Sequence, residues 1–214
     1  MRRILWTILS GVSLFLGAAC GGGGDLPDGP GLLAKSGAAM AAVQTVAFTL
    51  STEGKPAVQV RQAEGSLTRA GDAKGSIQIE LIGTLQEFEF VLVGEDVYLK
   101  GPTGGFQKSM TRAQLAAFYD PGTVIAGVPE LLAGATGAKV EGEEGGAYKV
   151  TVTLPPEVLK KVVPGIAQTA TGTLLIDKAT SRLTRIDLPV TGGTISVALA
   201  DYDAPVTVTA PPLS

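Results

Sequence analysis

Apolar and polar residues alternate along much of the chain. Val46, Phe48 and Leu50 alternate with Ala47, Thr49 and Ser51, and Val58 and Val60 with Gln59 and Arg61. Ile77, Ile79 and Leu81 alternate with Gln78 and Glu80, and Phe88, Phe90 and Leu92 with Glu87 and Glu89. A period of two puts the apolar side chains on one face of a strand and leaves the other face wet. Gly54-Lys55-Pro56, Gly71-Asp72, Gly83, Gly94 and Gly101-Pro102 separate the runs, so short turns join successive strands into an antiparallel meander. The alternation resumes with Tyr148, Val150, Val152 and Leu154. It closes with strands over Gly172 to Asp177, Leu183 to Val190 and Thr194 to Ala200.

Helical spacing interrupts this pattern in three places. Leu32, Leu33, Met40 and Val43 fall near one face of a first helix over Leu32 to Thr45. In the middle, Thr111-Arg112-Ala113-Gln114 has capping-box spacing before Leu115 and Phe118. Asp120-Pro121 then opens a further helix as N-cap and first residue. Val124, Val128 and Leu131 line one side of it, with Ile125 and Leu132 adjacent, and Gly127 and Pro129 divide it into two short pieces. Pro155-Pro156 opens a third helical segment that carries Val158, Leu159, Val162 and Val163 and stops at Pro164. The fold class is α+β.

The N-terminus differs from everything after it. Arg2 and Arg3 precede an uncharged, mostly apolar run from Ile4 to Leu16, and small residues lead to Cys20. That is the layout of a cleaved export signal, too short for a membrane span of about 20 apolar residues. Residues 1–19 are read as signal peptide, 20–31 as a lipidated Cys20 with a Gly/Pro-rich tether, and 32–214 as one domain. The alternative is a plain secreted protein with an incidental Cys. Loss of Arg2 and Arg3 leaves 15 basic against 20 acidic residues, a balance without a basic run that argues against a nucleic-acid partner. No disulfide is available to the single Cys, so stability must come from packing.

Catalytic chemistry has few places to reside. The chain has no His, which removes the commonest general base and metal ligand, and Cys20 is committed to the anchor. Glu141, Glu143 and Glu144 sit in a Gly-rich segment read as a solvated turn, without the alternation of a calcium loop. Gly101, Gly104 and Gly105 lack phosphate-loop spacing. No enzyme activity, metal or cofactor is expected.

Taken together, these segments resemble the LppX/LprG family of mycobacterial envelope lipoproteins. The matching residues are Leu32-Leu33, Val46-Ala47-Phe48, Ala63-Glu64-Gly65, Val97-Tyr98-Leu99-Lys100, Tyr119-Asp120-Pro121 and Leu131-Leu132. They continue with Leu174-Leu175-Ile176-Asp177, Arg182-Leu183, Tyr202, Pro205-Val206 and Ala210-Pro211-Pro212. Two positions depart from the family: Gly17 stands where a lipobox usually has Leu, and Leu175 where many relatives have Trp. The resemblance implies a LolA-like curved antiparallel half-barrel, covered on its concave face by short helices, that holds acyl chains of a lipid or glycolipid. It implies a monomer outside the cell membrane, anchored by lipid on Cys20, that carries lipid between membranes.

The residues allow two readings of the apolar faces, ordinary core or cavity wall. Many apolar strands, few helices and only 5% aromatic residues favour a space that is not filled. The expected floor is Ile77, Ile79, Leu81, Phe88, Phe90 and Leu92. The expected movable cover is Val124, Ile125, Val128, Leu131 and Leu132. A competing function is an envelope sensor or interaction module of the same fold, although the chain carries no additional partner-binding domain.

Overall fold

The computed structural model describes residues 26–56, 58–116, 122–159 and 168–214. Expectations for residues 1–19, Cys20, Phe118, Asp120-Pro121 and Val162 to Pro164 lie outside these.

Helix α1 spans Gly29–Ala41 and begins three residues earlier than expected. Asp28 caps it by accepting from the Gly31 backbone N–H at 2.8 Å, and Pro30 sits in the first turn, where its missing N–H costs nothing. The last three residues of the expected tether are therefore helical.

The first half of the sheet is a meander of β1 (Thr45–Gly54), β2 (Val60–Thr68), β3 (Ala73–Leu81), β4 (Thr84–Val93), β5 (Asp96–Lys100) and β6 (Gln107–Thr111). Helices α2 (Arg112–Ala116) and α3 (Gly122–Gly134) follow. The second half contains β7 (Thr136–Glu144), β8 (Ala147–Leu154), helix α4 (Pro156–Leu159), β9 (Ala170–Asp177), β10 (Leu183–Val190) and β11 (Gly193–Ala200). All eleven strands form one open antiparallel sheet in the order β6-β5-β4-β3-β2-β1-β11-β10-β9-β8-β7. The two halves meet at β1 and β11, where Ala47 faces Ala200 and Gly54 faces Gly193.

The alternation correctly located most of these strands and missed three: β5, and β6 and β7, which form the sheet edges. Glu141, Glu143 and Glu144 lie in β7 rather than in a turn. Lys139, Lys178 and Lys149 pair with them at 3.1, 2.7 and 3.4 Å. Charged, bulged edge strands resist pairing with other chains.

Residues opposite one another in an antiparallel sheet share a face. The apolar row of β1 (Val46, Phe48, Leu50) therefore continues through Leu199, Val197 and Ile186 on one side and through Leu67, Ala63 and Ile77 on the other. The helices cover this face. The capping box forms as expected: the Gln114 side chain accepts from the Thr111 N–H at 2.8 Å, and the Thr111 hydroxyl accepts from the Gln114 N–H at 3.2 Å.

α3 is one continuous helix that passes through Gly127 and Pro129, not two pieces. Proline costs a helix interior one hydrogen bond, but here packing on two sides offsets it. Leu131 and Leu132 are fully buried, and α1 presents Gly37 to the Pro129 and Leu132 stretch.

The C-terminal tail is tied down along the opposite face of the sheet. The Asp203 N–H donates to the Thr45 carbonyl, and Lys74 Nζ donates to the Thr207 carbonyl at 3.0 Å. Leu213 bridges to Phe106. Burial pushes the Tyr202 phenol well up, so it stays protonated and donates to the Leu183 carbonyl. The Arg182 guanidinium lies 5.1 Å from the centre of its ring.

Candidate functional site

Between the helices and the first half of the sheet lies a cavity of about 390 Å³. Its floor is built strand by strand. β1 contributes Phe48 and Leu50; β2 contributes Val60, Ala63 and Leu67; β3 contributes Ala73 and Ile77; β4 contributes Phe90 and Leu92. Val97, Leu99 and Met110 extend it toward the β6 edge, and Ile186, Val197 and Leu199 carry it across the seam. Leu115 of α2 with Val124 and Val128 of α3 close it from above. Every residue of this lining is apolar. Nothing in it can ionise, orient a hydrogen-bonding substrate or hold a metal. Among the described residues no cluster of acidic groups has the arrangement of a metal site.

One cross-strand row explains the shape of the floor. Phe48 faces Gly65, Gly65 faces Gly75, and Gly75 faces Phe90. Two rings thus flank a strip without side chains. The two backbones approach so closely that a Cβ on Gly75 would lie 2.0 Å from the Glu64 carbonyl oxygen, and one on Gly65 2.3 Å from that of Lys74. Only glycine permits this approach. On the other side of the same strip is a more open groove of about 600 Å³, bordered by Glu64, Lys74 and Glu89. Its charges and backbone edges make it a wet surface, unlike the cavity.

Of the residues expected in the floor, Ile77, Phe90 and Leu92 line the cavity. Ile79, Leu81 and Phe88 share their face, since Ile77 is opposite Phe88 and Ile79 opposite Gln86, but lie beyond the lining, half-buried toward the end of the β3–β4 hairpin. Of the expected cover, Val124 and Val128 line the cavity. Ile125, Leu131 and Leu132 are packed in the core instead. A helix turns about 100° per residue, so neighbours of a cavity-facing residue face elsewhere; Leu132 faces α1, 4.0 Å from where a Gly37 Cβ would stand. The lining on β1, β2, β5, β10 and β11 was missed. Its signal was the same alternation, but the alternation does not say which strands become neighbours under the helices.

The comparisons agree with this architecture. Lipoarabinomannan carrier protein LprG of Mycobacterium leprae (strain TN) is 25% identical over 229 residues, covering 99% of this chain and 95% of that protein. The crystal structure of LprF from Mycobacterium bovis superposes with a TM-score of 0.77 at 19% identity, covering 87% of this chain and 98% of that one. Mycobacterium tuberculosis lipoprotein LppX gives 0.64 at 22% identity, covering 85% and 100%. Both structures share the fold. The family model described as LppX_LprAFG lipoprotein matches residues 28–208, and the chain belongs to that family.

Proposed function

We propose that this protein is held outside the cell membrane by lipid on Cys20 and carries the acyl chains of a lipid or glycolipid between membranes in the cavity under α2 and α3. The observation that carries this reading is the wholly apolar lining. A preformed pocket lined by no polar side chain suits hydrocarbon, and its volume falls within the roughly 300–1,000 Å³ of small-molecule sites. The carrier activity in the name of the LprG relative points the same way.

The energetics suit carriage. Moving a chain of about 16 carbons from water into an apolar pocket gains on the order of 12 kcal/mol, at ~0.8 per CH₂. Moving it from a bilayer gains almost nothing, because both environments are apolar. Exchange with membranes is then reversible, escape into water is prevented, and no energy source is needed.

The test begins with organic-solvent extraction of the purified protein and a mass spectrum of the extract. Val128→Trp should then exclude acyl chains while leaving the thermal midpoint close to that of delipidated wild type. In a filled core the same change costs about 1–3 kcal/mol through overpacking, as Leu132→Trp should. A large loss of midpoint in Val128→Trp with lipid content unchanged would overturn the assignment. For the anchor, Cys20→Ala should release the protein from membranes; retention on membranes, with no added acyl mass on the wild type, would refute it.

A further inference from the structure

The two ends of the sheet differ in chemistry. Strand directions place the β3–β4 turn, the β1–β2 turn, the loop before β6 and the start of β7 at one end. Gly29 packs against Ala138, so the N-terminus of α1 is at this end too. Leu213 bridges to Phe106 there. All four large hydrophobic residues that stand exposed among the described residues, Leu26, Ile82, Leu85 and Leu213, lie at this end. The turns at the other end expose no large hydrophobic residue among the described residues and carry ion pairs, Asp72 with Arg112, Glu143 with Lys178 and Asp203 with Arg182; the first end has Asp28, Glu53 and Lys55 beside its apolar residues.

Ile82 stands out among the four. Leu81 pairs with Thr84, so Ile82 and Gly83 form a two-residue hairpin turn, and both have positive φ, 52° and 75°. Asn-Gly is the sequence such a turn prefers. A β-branched residue in the left-handed region is strained, and this one is also fully exposed, with a relative accessibility of 105%. The hairpin gains nothing from it. Leu85, 59% exposed, lies on one face of the tip and Leu81 on the other. The nearest charge, Glu80, is bound to Arg61 at 2.6 Å. From Leu81 the apolar row runs through Ile79 to Ile77, which lines the cavity.

We propose that this end of the sheet docks on a phospholipid bilayer, with the Ile82 tip entering the interface and the Leu81–Ile79–Ile77 row guiding an acyl chain to the cavity. The chain that precedes α1 leads to the same surface. Seven residues lie between Cys20 and Asp28, a reach of at most about 28 Å over the steps that join them, so a lipid on Cys20 would keep this end near the membrane and the other end away from it. The guiding role rests on the carrier reading above; the docking does not.

The experiment uses the lipidated protein in phosphatidylcholine–phosphatidylglycerol vesicles; its single Trp, Trp6, leaves with residues 1–19, so each variant carries only the Trp introduced. Ile82→Trp is compared with Ala179→Trp, an exposed position at the opposite end, for quenching by brominated phosphatidylcholine. Quenching of the tip alone is expected. Quenching of neither, or of both equally, overturns the docking whether or not the protein holds lipid. The acyl content of the same samples is measured separately and tests the carrier reading. Ile82→Asn with Leu85→Ser should slow acyl transfer to acceptor vesicles about tenfold. Bound lipid at saturation and thermal midpoint should be unchanged, because Asn suits the turn. Unchanged transfer by this variant overturns the guiding role.

Discussion

Gly65 and Gly75 decide the shape of the cavity floor by having no side chain. Each faces the other across β2 and β3, with Phe48 and Phe90 as outer neighbours in the row. Gly75→Ala places a Cβ 2.0 Å from the Glu64 carbonyl oxygen, which belongs to backbone and cannot swing aside. The strands must separate, and we expect a loss of about 2 kcal/mol, in the range of overpacking, measured by urea denaturation. Bound acyl content should fall as well, because the Phe48 and Phe90 rings move with their strands. Neither glycine could have been singled out from the sequence. A lone Gly in a strand pattern signals a bulge or a close approach, but the partner strand and register decide which.

Among the elements, α2 shows how local signals were read well and tertiary ones less so. Its capping box was legible because both hydrogen bonds lie within four residues. Thr111→Ala should cost about 1 kcal/mol and loosen Leu115 over the cavity; amide exchange across Arg112–Ala116 should quicken while β5 remains protected. α3 was legible as a helix but not in its continuity, since Gly127 and Pro129 are breakers only in the absence of packing on two sides. The edge strands β6 and β7 escaped notice because edges carry Lys and Glu in place of an apolar row. The floor was assigned to the correct face of β3 and β4, yet Ile79, Leu81 and Phe88 run past the helices, whose reach no periodicity encodes.

On the scale of the whole molecule, ionisable groups stabilise the turns, while the cavity has none. The Asp177 carboxyl is held below the usual carboxylate range by the Thr180 hydroxyl and backbone N–H, at 2.7 Å each. Asp203 is held low by the Gln44 backbone N–H at 2.8 Å and by Arg182. A carboxyl whose folded value lies below its unfolded one stabilises the fold above the ordinary value of 3.8, and that contribution fades as pH falls through the folded value. With no His in the chain, thermal stability should be flat from about pH 5 to 8 and decline below about 4. Asp203→Asn should lower the midpoint at pH 7, and its gap from wild type should narrow as pH drops below 3.8.

The seam between β1 and β11 also governs the order of assembly. Ala47 meets Ala200 across roughly 150 residues of intervening chain, one of the longest closures available to a protein of this size. Non-local pairing of this kind is slow to form. Until the last strand is available, β1 has a partner on one side only, and the second half of the floor has nothing to join. The chain is therefore slow to become compact while it is incomplete, which would suit the export that the proposed anchor on Cys20 requires.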